Sequence, residues 1–293
     1  MATKSQWFAG ARPRTLPAAI APVLVGTAIA TFEQGANYQI AACALLVSLA
    51  LQVGVNFAND YSDGIRGTDN VRVGPVRLVG QELAAPWQVK QAAYLSFAIA
   101  AIAGFGMALL SGLWLLIPVG ISAIIAAWFY TGGKRPYGYA GLGEVFVFVY
   151  FGLVAVIGTS ASQTGKISTL SIIGGISCGL LSTAILLANN VRDIPNDITA
   201  GKRTLAVRIG DQNTRKLYQI TVLVGIWLSA ATALMSSGPK LSWIAIGATF
   251  IALEPIKLIR SGVGGRELIP VLAGTGRTLL VYSVLLSFAI LNS

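Results

Sequence analysis

An all-α, polytopic membrane fold of nine transmembrane helices is predicted by three features of this 293-residue chain. First, it is built for an apolar solvent: 55% of its residues are hydrophobic, 11% are charged, and the mean hydropathy is +0.71. A soluble domain carries roughly 25% charged residues. Second, its apolar residues fall into long runs, and about 20 such residues cross a bilayer as a helix. Third, its basic residues sort to one side of those runs.

The runs, in order, are 15–32, 38–59, 89–110, 113–131, 143–162, 168–190, 216–236, 241–259 and 270–291. The first follows Arg12 and Arg14 and shows no cleavage pattern, so it is expected to remain as a spanning helix and not to leave as a signal peptide. The second ends in Asn-Asp-Tyr-Ser-Asp (59–63). The third and fourth are separated only by Ser111 and Gly112, and the fifth opens beside Glu144. The sixth runs into Asn-Asn-Val-Arg-Asp-Ile-Pro-Asn-Asp (189–197), where Pro195 is expected to bend or end the helix. The seventh begins at Lys216, the eighth carries Glu254 and Lys257 near its end, and Arg277 interrupts the start of the ninth. No linker, low-complexity segment or soluble domain is evident, so residues 1–293 read as one transmembrane domain.

Nine crossings put the termini on opposite faces. Nineteen of the 21 basic residues then share the N-terminal side, and only Lys166 and Lys240 lie on the other. By the positive-inside rule the N-terminus is cytoplasmic and the C-terminus outside, in the cell membrane. Adding or dropping one crossing would scramble this bias. Ten of the eleven carboxylates lie on the same cytoplasmic side or at its boundary, with Glu33 the exception. Acidic residues have little influence on topology, so their gathering calls for a different reason. The net charge of +10 thus describes acidic clusters among basic loops, which is unlike a nucleic-acid-binding patch. No nucleic-acid partner is expected.

Residue types narrow the chemistry. Cys43 and Cys178 are isolated in apolar runs and make neither a disulfide framework nor a zinc motif. The chain has no histidine, which excludes His-based acid–base catalysis and the common zinc and iron sites. A bound metal would take oxygen ligands, as magnesium or calcium does.

Two clusters fit that requirement. If the second span stays helical to its end, Asn56, Asp60 and Asp63 share a stripe, with Asn59 and Asp69 nearby. Neighbouring carboxylates repel, and a helix C-terminus is already partly negative, so a cation is expected among them. Asn189, Asn190, Asp193 and Asp197 repeat the pattern at the end of the sixth span. Both clusters are followed by Gly-containing basic loops, and the two units read as an echo of two related halves, roughly 15–131 and 143–291. A single Asp-x-x-Asp at a helix end is often a solvated interfacial pair; two such pairs in matching contexts are not readily explained that way. Magnesium is commonly held by one or two carboxylates plus substrate phosphates. Arg66, Arg77, Arg192, Lys202 and Arg203 could take the remaining phosphate oxygens, although Arg66 and Arg72 also act as topology determinants. Acid pairs, arginines and membrane burial together describe a diphosphate with a lipid tail. Tyr130, Tyr137 and Tyr139 could face a carbocation or form an interfacial aromatic belt. Glu144 is either a base or a favourable helix N-terminal acid.

At these residues the chain resembles the UbiA-type intramembrane aromatic prenyltransferase superfamily, and within it the naphthoate-prenylating branch of menaquinone biosynthesis. The matching segments are Ala-Arg-Pro-Arg-Thr-Leu (11–16), Asn-Asp-Tyr-Ser-Asp-Gly-Ile-Arg-Gly-Thr-Asp (59–69) and Gly-Pro-Val-Arg-Leu-Val (74–79). Further on come Lys-Arg-Pro-Tyr-Gly-Tyr-Ala-Gly-Leu-Gly-Glu (134–144) and the stretch from Asn189 to Val207. In the wider superfamily the first motif often ends with a third Asp four residues after the second; here position 67 is Gly and the next is Asp69. The resemblance implies nine helices around a central cavity open sideways to lipid. It implies Asp60, Asp63, Asp193 and Asp197 as the catalytic, metal-binding residues, with Mg2+ as cofactor. Substrate contacts are expected from Asn56, Asn59, Arg66, Asp69, Arg77, Lys134, Tyr137, Glu144, Asn189, Asn190, Arg192 and Lys202. The implied partners are a polyprenyl diphosphate, an aromatic acid and the lipid bilayer. The implied reaction joins the prenyl group to 1,4-dihydroxy-2-naphthoate with loss of diphosphate and CO2, giving demethylmenaquinone. The rivals are a sister enzyme using 4-hydroxybenzoate, homogentisate or haem, a secondary transporter, and a non-catalytic diphosphate-lipid binder.

Overall fold

The computed structural model describes residues 2–67 and 76–293, and all of its regular structure among them is helical. The helices are α1 Lys4–Gly10, α2 Pro17–Phe32, α3 Tyr38–Ile65, α4 Pro86–Ser111, α5 Leu116–Phe129, α6 Gly143–Thr164, α7 Thr169–Thr199, α8 Leu205–Ile209, α9 Asp211–Leu234, α10 Lys240–Arg260 and α11 Gly265–Leu291. Seven of them (α3, α4, α6, α7, α9, α10 and α11) are long and apolar enough to cross a membrane. An eighth crossing results if the bent pair Lys4–Thr15 and Pro17–Phe32, 50° apart, counts as one.

The expected count of nine is therefore too high by this measure. The fourth run, 113–131, forms only the 14-residue α5, which at 1.5 Å per residue is about 21 Å long and falls short of the roughly 30 Å hydrocarbon core. The 50° bend beside the first run lies where Pro13 and Pro17 interrupt regular hydrogen bonding.

Two helices extend beyond their apolar runs, and these extensions build the site. The Asn37 side chain caps α3 by accepting from the backbone N–H of Gln39 and Ile40, and α3 then continues through Asp60 and Asp63 to Ile65. Helix α7 continues through Pro195 to Thr199, so the expected break at the proline does not occur. It ends in a Schellman motif: Gly201 takes φ +69°, its N–H reaches the Ile198 carbonyl, and the Lys202 N–H reaches the Asp197 carbonyl at 2.8 Å. This turn folds Lys202 back over the helix tip.

The bundle is inverted relative to a soluble protein. Large apolar side chains such as Leu95, Ile102, Phe105, Ile220 and Phe250 are exposed, whereas Ser177, Thr214, Thr275, Thr278 and Ser283 are fully buried. Small and hydroxylic residues at helix contacts let backbones approach in lipid. Helix α3 packs along α4, α2 against α11 and α6, α7 against α6 and α9, and α10 against α11. Helix α5 packs on α3 and α4, and at an exposed edge its Ser122 accepts from the Tyr150 hydroxyl of α6 at 3.1 Å.

Candidate active site

A cavity of about 1000 Å³ lies inside the bundle, lined by α1 to α7 and by α11. Residues from Ala44 to Asp63 of α3 line its wall, a length of about 28 Å at 1.5 Å per residue. Near the α3 tip the wall carries Asp63, Asn59, Asn56 and Gln52; further back it carries Leu51, Val47 and Ala44. Val23, Phe105, Met107 and Ile117 add to the apolar lining. The cavity thus matches a molecule with a polyanionic head and a long hydrocarbon body.

The N-terminal segment is pinned across α3. Gln52 donates to Thr15 Oγ1 at 2.9 Å, and Asn56 donates to the Ala11 carbonyl at 2.9 Å and to Thr15 Oγ1 at 3.1 Å. Arg12 and Arg14 are held between these anchors and line the cavity. Asn59 accepts from Thr131 Oγ1 at 2.8 Å.

The two acidic tips share a division of labour. In each, one aspartate is buried against its own supporting groups and the other lines the cavity. Asp60 accepts from the backbone N–H of Leu78 at 2.7 Å and of Val79 at 3.0 Å, which anchors the loop that carries Arg77 onto the wall. Asp193 takes a two-point contact from the Arg192 guanidinium, 2.8 Å to each oxygen, and Arg192 lines the wall as well. Asp63 and Asp197 are the cavity-facing members. Lys202 Nζ lies 3.2 Å from Asp63 Oδ1 and 4.4 Å from the centre of the Tyr139 ring, and the Tyr139 hydroxyl donates to Asp63. Thr204 Oγ1 reaches Asp197 Oδ2 at 3.3 Å. The tips of α3 and α7 are therefore linked by one lysine.

The described wall carries five cations (Arg12, Arg14, Arg77, Arg192 and Lys202) against two carboxylates, Asp63 and Asp197. This positive excess suits a polyphosphate. Among the described residues no three carboxylates, cysteines or histidines converge as a metal cluster. Two wall carboxylates with an all-oxygen donor set still fit magnesium carried in on a diphosphate, whose phosphate oxygens supply the other ligands.

The other expected residues fall in several places. Asn189, Asn190 and Tyr137 line the cavity. Arg66 is exposed and not on the wall; it donates to the Thr131 carbonyl and lies 5.4 Å from the Tyr139 ring centre. Lys134 and Arg203 are exposed and off the wall. Glu144 is buried behind the wall, with Oε1 accepting from Asn190 Nδ2 at 2.8 Å. Asp69, Arg72 and Gly74 lie outside the described residues.

The structure adds members that sequence reasoning missed. Gln52 could have been found, because it is one turn before Asn56 on the same stripe. Thr15, Thr204, Phe146 and Tyr150 carried no comparable signal. Tyr130 packs edge-on to Tyr137 at 5.5 Å, Tyr137 stacks on Phe146 at 3.9 Å, and Phe146 lies 6.1 Å from Tyr150. All four line the cavity as an aromatic wall. Burial, followed by the neighbouring Tyr130, pushes the Tyr137 phenol well above the ordinary tyrosine value. Burial and then the Asp63 charge raise that of Tyr139, so both hydroxyls stay protonated donors.

Comparison with known proteins follows the same lines. The UbiA prenyltransferase family profile matches residues 19–262. A relative from Mycobacterium tuberculosis, described as 1,4-dihydroxy-2-naphthoate octaprenyltransferase, is 51% identical over 99% of this chain and 98% of its own length. An Escherichia coli protein with the same description is 34% identical over 90% of this chain and 86% of its own. Among solved structures, a UbiA homolog from Archaeoglobus fulgidus bound to GPP and Mg2+ superposes with a TM-score of 0.70 at 16% identity, covering 98% of this chain and all of that one.

Proposed function

The chain belongs to the UbiA prenyltransferase family, and from that premise we propose that it transfers a polyprenyl group from polyprenyl diphosphate to 1,4-dihydroxy-2-naphthoate. Diphosphate and CO2 leave, and the quinol form of demethylmenaquinone remains. The observation that carries this reading is the pairing of Asp63 and Asp197 with Arg77, Arg192 and Lys202 at the polar end of a long apolar cavity. Support for the acceptor comes from full-length relatives described by that activity.

In this reading the diphosphate lies among Arg12, Arg77, Arg192 and Lys202, which stabilise the negative charge that grows as the allylic C–O bond breaks. Asp63 and Asp197 would hold magnesium, which when bound supplies Lewis-acid stabilisation of the leaving diphosphate. Asp60 and Asp193 complete the acidic set and keep Arg77 and Arg192 on the wall. The aromatic wall of Tyr130, Tyr137, Phe146 and Tyr150 faces the allylic cation with π-density. The cavity's apolar lining limits water at that carbon. The naphthoate ring then attacks carbon, its carboxylate is lost as CO2, and the ring regains aromaticity. The prenyl tail extends along the apolar part of the cavity and sideways into lipid. One domain with two related halves fits this scheme, because each half supplies one Asn/Asp helix tip.

The test is turnover of purified protein with naphthoate, polyprenyl diphosphate and magnesium, read as prenylated product and released diphosphate. Asp63→Ala, Asp197→Ala, Asp60→Ala and Asp193→Ala are each expected to abolish product while the protein stays folded in membranes. A chelator is expected to stop turnover in the wild type. Wild-type-like turnover in a protein carrying any two of these substitutions would sink the assignment.

A further inference from the structure

The cavity wall also carries uncharged polar side chains besides its cations and carboxylates. Helix α7 presents Ser182, Leu186, Asn189 and Asn190 to the cavity, the i, i+3, i+4 pattern of one helix face. Asn190 differs from the others in what stands behind it. Its Nδ2 donates at 2.8 Å to Oε1 of Glu144, in the first turn of α6. Glu144 is only 6% exposed, and its Oε2 has no hydrogen-bond partner among the described residues. A buried carboxyl with an unmatched oxygen is costly, and ionisable groups at membrane depth are rarely without a role.

The direction of that hydrogen bond decides what Asn190 offers the cavity. Glu144 Oε1 accepts the amide N–H, which leaves Oδ1 as the group available to a ligand. An amide oxygen offers an anion no donor, whereas it attracts an O–H. The same first turns of α6 carry Phe146, stacked on Tyr137. An acceptor oxygen in a cavity also lined by stacked aromatic rings fits a planar ring that bears a hydroxyl.

Resting on the prenyl-transfer reading above, we propose that Asn190 Oδ1 accepts a hydrogen bond from the ring hydroxyl of the aromatic acceptor, with Glu144 as the positioning residue that holds the amide in that orientation. The two substrates are thereby separated by the kind of group that receives them, cations for one and a hydrogen-bond acceptor for the other. The diphosphate is drawn to the arginines and Lys202, and the hydroxyarene to an acceptor backed by a carboxylate. Glu144 does not touch the substrate.

The test is a KM comparison for both substrates in wild type, Asn190→Ala, Glu144→Ala and Glu144→Gln. Asn190→Ala and Glu144→Ala are expected to raise KM for the hydroxyarene by about tenfold or more, the cost of leaving a hydroxyl unpaired, with KM for polyprenyl diphosphate unchanged. Glu144→Gln keeps an oxygen for Asn190 Nδ2 and is expected to restore most of the acceptor affinity. A mono-O-methylated acceptor should be discriminated against by the wild type and not by Asn190→Ala. Equal losses on both substrates, a loss confined to the diphosphate, or unchanged discrimination against the methyl ether would overturn the assignment. No turnover of naphthoate by the wild type would count against the proposed acceptor alone; the same KM split would then be required with whichever hydroxyarene is used.

Discussion

Tyr137 shows how much one residue's surroundings change its chemistry. Its hydroxyl donates to the Ala126 carbonyl at 2.8 Å, at the end of α5, while its ring stacks on Phe146. Loss of that bond in Tyr137→Phe is expected to cost about 1 kcal/mol at neutral pH. Because burial raises the folded-state pKa, the unfolded chain ionises first, near its ordinary value of about 10. This residue's contribution is therefore complete below that pH and declines above it. Unfolding midpoints in detergent at neutral pH and above pH 10 should show the gap between wild type and Tyr137→Phe narrowing at the higher pH. At the same scale, the acidic pairs were visible as residue types at helical spacing. Their division into cavity-facing Asp63 and Asp197 and internally anchored Asp60 and Asp193 was not. It depends on Leu78, Val79 and Arg192, and contact with the distant Leu78 and Val79 requires the loop to fold back onto α3.

Among the elements, α6 and α7 hold the aromatic wall against the Asn/Asp tip. Residues Val149–Val154 of α6 form a π-helical segment, a departure from the α-helix often found at functional sites, and its Gly152 lies directly on α7. A Cβ there would sit 2.4 Å from the Gly179 Cα and 2.5 Å from the Gly175 carbonyl oxygen. Backbone cannot yield as a flexible side chain can, so Gly152→Ala should push the helices apart and destabilise the protein by about 1–3 kcal/mol. Gly158→Ala, on the same helix with nothing within 4 Å of the added carbon, should leave the unfolding midpoint unchanged or slightly raised. A thermal-shift comparison of the two separates packing from helix propensity. The sequence marked α7 as a spanning helix but placed its end too early, because Pro195 reads locally as a breaker. Packing and the Gly201 turn carry the helix onward to Thr199.

For the molecule as a whole, α5, though short, still returns the chain to the face of the α3 tip, where Thr131 meets Asn59, so the basic bias keeps its sides and predicts a direction of insertion that can be measured. With Cys43 and Cys178 replaced by serine, a single cysteine at Lys166, between α6 and α7, should react with a membrane-impermeant thiol reagent added to intact cells. One at Arg203, beyond α7, should react only after the membrane is opened; both positions are exposed. The reverse pattern would invert the orientation and with it the side on which diphosphate is released. Composition and apolar run length determined the all-helical membrane class without reference to any contact, because a bilayer demands internally satisfied backbone over a set length. They overstated the number of full crossings, since run length does not reveal that α5 stops at 14 residues or that the first run joins a bent pair. Spacing along two helices was also enough to mark where acids and amides gather. Only the tertiary structure decided which of them meet a common cavity, that Lys202 reaches Asp63, 139 residues away in sequence, and that Glu144 stands behind Asn190. Those outcomes depend on side chains from remote segments sharing one desolvated space, where each buried polar group must find its partner, and spacing within a single helix carries no record of that pairing.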